Sequence, residues 1–135
     1  MRLVIDSNLV FSSVLKPASV PGTVLGAWCA GHFDWISCDI QFAELKIALT
    51  RPYLLQKIPE GARPVEELLH EMREDCHWPT LVMPLPAICR DPRDDCLFAL
   101  YDQGHADLII SGAKDVLACK SNYPVLTARE LIDRL

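Results

Sequence analysis

Wholly apolar runs of this chain that stop at a polar residue include Leu3-Val4-Ile5, Leu108-Ile109-Ile110 and Val125-Leu126. A strand with one face in water alternates apolar and polar side chains, whereas an unbroken apolar run has protein on both faces. Between these runs lie groups with helical spacing: Val24, Leu25 and Trp28; Phe42, Leu45 and Leu49; Leu68, Leu69 and Met72; Leu97, Phe98, Leu100 and Tyr101. Buried strands alternating with amphipathic helices predict an α/β chain whose central sheet is mostly parallel and sandwiched by helices. At 135 residues the chain is long enough for one such domain, spanning 1–135, and for a normal core without staples.

Local signals set the expected boundaries. A helix starts near Pro21 and ends near Gly31, and Phe33 to Ser37 reads as a second strand. Asp39 opens a helix that runs until Arg51-Pro52 disrupts it. Pro64 suits the first turn of the next helix. Leu81-Val82-Met83, bounded by Pro79 and Pro84, reads as a further strand. Asp94 or Asp95 opens a helix that Gly104 closes, and a short helix covers Ala113 to Cys119. Thr127 followed by Glu130 has the spacing of a capping box.

Composition excludes several classes. The net charge of −5 rules out a general basic field for nucleic acid, though not a local basic cleft or cations bridging acids to phosphates. No apolar run is long enough to span a bilayer, and the first residues read as a core strand rather than a signal peptide. No membrane role and a cytoplasmic location are therefore expected. The six cysteines form no Cys-x-x-Cys pair and have no zinc-like histidine spacing, so reduced, structural thiols are expected. The four histidines have no partners at useful spacing, and the three tryptophans read as core or interface.

The acids carry the functional signal. In open parallel sheets, sites form beyond the carboxyl ends of the strands, where strand order reverses. Asp6 and Ser111 each follow an apolar strand, Asp95 opens the helix leading to the strand at Leu108, and Glu44 lies on the helix after the second strand. A carboxylate at a buried strand end is costly to desolvate, and several at one spot repel one another unless a cation sits among them. Oxygen ligands of this kind select Mg²⁺ or Mn²⁺. Blander roles compete: Asp6 and Asp95 as helix caps, Glu44 as a solvated side chain, Asn8 and Ser111 as partners of local backbone, and Asp115 as a surface acid. A receiver-like phosphotransfer domain using Asp6 lacks both a paired Asp-x-Asp and a glycine-rich phosphate loop after the first strand.

The ordered set Val4-Ile5-Asp6-Ser7-Asn8, Phe42-Ala43-Glu44-Leu45 with Thr50-Arg51-Pro52, Asp91-Pro92-Arg93-Asp94-Asp95, Ala106 to Gly112, and Val125 to Leu131 resembles a PIN domain. More narrowly, it is similar to the VapC-like toxin ribonucleases of bacterial toxin–antitoxin systems. The resemblance implies a Mg²⁺- or Mn²⁺-dependent endoribonuclease leaving a 3′-hydroxyl and a 5′-phosphate, a homodimer, and a cognate antitoxin protein. Carried over by position, it implies Asp6, Glu44 and Asp95 as metal-site acids, Asn8 as the residue orienting the first of them, and Ser111 as the small hydroxyl near the metal. Spacing to Ser111 favours Asp95 over Asp94, leaving Asp91 to the turn with Pro92 and Asp94 to a helix cap. The family's usual fourth acid is Ala113 here. Either Asp115 or water completes the metal site, or strong activity is lost and the domain binds RNA or protein, or Ala113 replaces the natural residue.

Overall fold

The computed structural model describes residues 1–135. Its sheet contains β1 (Arg2–Ile5), β2 (Asp34–Trp35), β3 (Leu108–Ile110) and β4 (Val125–Leu126), all parallel, in the order β2-β1-β3-β4. The helices are α1 (Ser7–Leu15), α2 (Val20–Cys29), α3 (Asp39–Leu49), α4 (Pro52–Leu55), α5 (Val65–Asp75), α6 (Asp95–Gln103), α7 (Lys114–Leu117) and α8 (Ala128–Arg134). A single 3₁₀ turn, Pro92–Asp94, leads into α6. The expected parallel α/β architecture is present.

The two-residue period of a strand explains the unbroken apolar runs. Leu3 and Ile5 point into one layer with Trp35, Ile110 and Leu126, which buries the inner faces of α1, α2, α3, α5 and α8. Val4, Ile109 and Val125 point the other way and pack against Leu97, Phe98 and Leu100 of α6 and Val116 of α7. Strands β1, β3 and β4 are therefore covered on both faces, whereas Asp34 of the edge strand β2 is exposed. No single helix is long and apolar enough to cross a membrane.

Three boundaries differ from the sequence expectation. Leu81-Val82-Met83 is not a strand; Val82 and Met83 stand exposed in a loop, held where the Val82 N–H donates to Gln103 Oε1 (2.7 Å). Flanking prolines remove the backbone donors that a ladder needs. The second strand is short, although the Ile36 N–H still donates to the Leu3 carbonyl (2.9 Å). Helix α1 fills a stretch between β1 and the helix expected near Pro21 for which no element was expected, and it is bent by 99° from α2.

Candidate active site

Strand order reverses at β1, because the chain moves from β1 out to β2 and then returns to β3 on β1's other side. The crevice beyond β1 and β3 is thus the expected place for a site. Register makes it specific. Ile5 pairs with Ile110, so the next residues, Asp6 and Ser111, leave the sheet abreast of each other.

Asp6 is nearly fully buried (3% exposed), and both carboxylate oxygens are engaged. Oδ2 accepts from Ser111 Oγ (2.6 Å), and Oδ1 accepts from the Asn8 backbone N–H (3.1 Å), capping α1. The amino-terminal end of that helix favours the negative charge. The Ser111 hydroxyl in turn accepts from the Ala113 N–H (3.0 Å), which fixes its rotamer. Asn8 thus contacts Asp6 through its backbone N–H, while its side chain lies exposed on the cleft wall.

Beyond Asp6 opens a cleft of about 530 Å³ lined by Asn8, Glu44, Asp91, Asp94 and Asp115, with Arg51, Arg93 and Lys114 among them. Glu44 reaches it from the exposed side of α3. Asp91 caps the 3₁₀ turn and is clamped by Arg93, whose Nη2 lies 2.8 Å from Oδ2. That guanidinium holds the Asp91 carboxyl below the usual carboxylate range. Asp115 lies 3.7 Å from an exposed guanidinium nitrogen of Arg90.

The placement of Asp95 corrects the sequence expectation. Its Oδ1 accepts from the backbone N–H groups of Ile88 (3.0 Å) and Cys89 (2.7 Å), so this buried carboxylate braces the loop before the turn and does not line the cleft. Asp94 lines it instead and makes no side-chain capping bond to α6. Burial, and then the negative charges of Asp6 and Asp91, push the Asp94 carboxyl up to about 6. That repulsion is the electrostatic sign of acids gathered without enough cations.

Ala113 also lines the cleft, where an acid was expected, and Asp115 stands two residues further along the same wall. The donors facing the cleft are carboxylate oxygens with no histidine or cysteine, the set that suits a hard cation. As placed, no three Asp, Glu, His or Cys side chains converge tightly enough to cage an ion unaided.

Sequence reasoning missed a polar seam beneath the cleft. Gln41, on the buried side of α3, donates from Nε2 to the Ile5 carbonyl (2.5 Å) and Ser7 Oγ (3.4 Å), and accepts from Ser37 Oγ (2.7 Å). A glutamine four residues before Leu45, on an otherwise apolar stripe, was the available signal. The family model described as PIN domain matches residues 2–115. No curated protein matches the chain significantly. Sheet order, an acid at the end of β1 and a match over most of the length agree: the chain belongs to the PIN-domain family.

Proposed function

We propose that this PIN domain is a divalent-metal-dependent endoribonuclease that hydrolyses RNA phosphodiesters, and that it is the cytoplasmic, homodimeric toxin of a VapC-like pair restrained by a cognate antitoxin. PIN domains are generally nucleases that use divalent metals. The observation carrying the reading for this chain is the cleft at the switch point, with the carboxylates of Asp6, Glu44, Asp94 and Asp115 on its walls and no histidine or cysteine among them. Asp6, Glu44 and Asp94 would hold Mg²⁺ or Mn²⁺, and Asp115 stands nearest in sequence to the missing fourth acid. A divalent cation bound there supplies charge neutralisation of the scissile phosphate and a lowered pKa for water.

The chain's own groups do the rest. Ser111 and the Asn8 amide hold Asp6 in one rotamer, so its carboxylate needs no reordering when a cation enters. Arg51 and Lys114 place positive charge on the cleft wall where a phosphodiester backbone lies, offsetting the repulsion between RNA and the acids. The expected result is Mn²⁺-dependent cleavage of single-stranded RNA that Asp6→Asn and excess EDTA each abolish. Undiminished cleavage in either case contradicts the proposal.

One observation favours a second reading, a PIN domain that binds RNA or protein without efficient turnover. Ala113 contributes no ligand to the cleft wall. Ala113→Asp separates the two readings: a large gain in cleavage means that the wild-type chain lacks a ligand its chemistry needs.

A further inference from the structure

The seam centred on Gln41 has a consequence for the cleft above it. On the β2 side of β1, the Met1 and Leu3 carbonyls accept from the N–H groups of Asp34 and Ile36, both at 2.9 Å. In a parallel ladder, the next acceptor on that side is the Ile5 carbonyl, and its donor would be the N–H of residue 38. By then the chain has left the sheet, because Cys38 is the N-cap of α3. The Gln41 carboxamide takes the missing position, so a side chain on α3 completes the ladder beside Asp6. Its second contact, Ser7 Oγ, lies on the other side of Asp6 in sequence. Its carbonyl end is held in turn by Ser37, which is fully buried, and Gln41 itself is 1% exposed.

Gln41 and Glu44 are three residues apart on α3, about one turn, so fixing one fixes the height and rotation of the other. We infer that Gln41 is a positioning residue for the cation site, docking α3 onto the end of β1 so that Glu44 stands across the cleft from Asp6. This rests on the metal-site reading above and deepens it. A role confined to satisfying buried polar groups would lower stability and leave the site's affinity unchanged.

The test is Mn²⁺ titration of the full chain, read by the loss of the free-ion electron paramagnetic resonance signal. Gln41→Met keeps the volume and removes the hydrogen bonds. Ser37→Ala is the gentler companion, removing one hold on the carboxamide, and carries the test where Gln41→Met does not fold. Leu131→Ala, in α8 and outside the cleft lining, is the control for general loosening of the core. Wild type and Leu131→Ala are expected to bind alike, Gln41→Met roughly 10-fold or more weaker, in the range seen when outer partners of metal ligands are removed, and Ser37→Ala between them. Wild-type affinity in both seam variants overturns the positioning role, as does an equal loss in Leu131→Ala. A wild-type chain that binds no Mn²⁺ overturns the metal-site reading itself, which is a distinguishable result.

Discussion

Single side chains decide which of two neighbouring acids faces the cleft. Asp94 and Asp95 are adjacent, and although spacing to Ser111 favoured Asp95, one residue along a helix rotates the side chain by about 100° and so decides which acid faces the cleft. Asp95 turned toward two backbone amides, and Asp94 was left toward Asp6. Asp94→Asn should therefore weaken Mn²⁺ binding at least tenfold, an order typical of a lost ligand or its support. Asp95→Asn should leave it within about twofold, since the amide oxygen still accepts from the same backbone groups. Calorimetric titration of the two variants checks the pair. Asp94 also carries a pH signature. Its folded pKa of about 6 lies above the ordinary 3.8, so the folded chain binds more protons between those values and stability falls as pH rises through that window. Asp94→Asn is expected to stabilise at pH near 7.5 by on the order of 1 kcal/mol, after discounting for solvent screening of a half-exposed group. The gain should vanish in urea denaturation as pH falls to about 2.5, well below the ordinary 3.8, where Asp94 is neutral both folded and unfolded.

Elements set where those side chains can be. The carboxyl ends of β1 and β3 were legible in the sequence because their apolar runs are unbroken and each ends at a polar residue. The capping box also formed as read, with Thr127 Oγ1 accepting from the Glu130 N–H (3.2 Å) and Glu130 Oε1 accepting from the Thr127 N–H (3.1 Å). Asp6, Asn8, Glu44 and Asp115 were each singled out from the sequence, and one cleft receives them all. What stayed hidden depends on contacts between distant segments. The Leu81-Val82-Met83 run has strand composition, but no edge of the sheet receives it. Gln41 could not be read as the partner of a β1 carbonyl before α3 was seen to follow β2 so closely. Gly104 illustrates the same limit. Its place at the end of α6 was readable, but not that a Cβ there would meet the Leu100 carbonyl oxygen at 2.6 Å and Ile36 Cγ2 at 2.8 Å. Gly104→Ala should accordingly cost roughly 1–3 kcal/mol, the usual range for overpacking, measured by urea denaturation.

At the scale of the whole domain, Asp6 is held firmly at the strand end, whereas neither Glu44 nor Asp94 is fixed by a side-chain hydrogen bond. Asp6 is buried and bonded at both oxygens, whereas Glu44 lies exposed on α3 and Asp94 ends the 3₁₀ turn, where burial and the charge of Asp6 oppose its ionisation. A ligand that binds only the folded chain stabilises it by mass action. Saturating Mn²⁺ should therefore raise the melting temperature by several degrees, since 1 kcal/mol corresponds to about 2–8 °C for domains of 60–250 residues. Asp6→Ala should lose most of that rise in a thermal shift series. The most direct test of the proposed site is anomalous scattering from a crystal of the wild-type chain soaked in Mn²⁺. The expected result is a peak in the cleft within coordination distance of Asp6, with Glu44 and Asp94 drawn toward it. A peak held by Asp95 and not Asp94, or no peak in the cleft at saturating Mn²⁺, would contradict it.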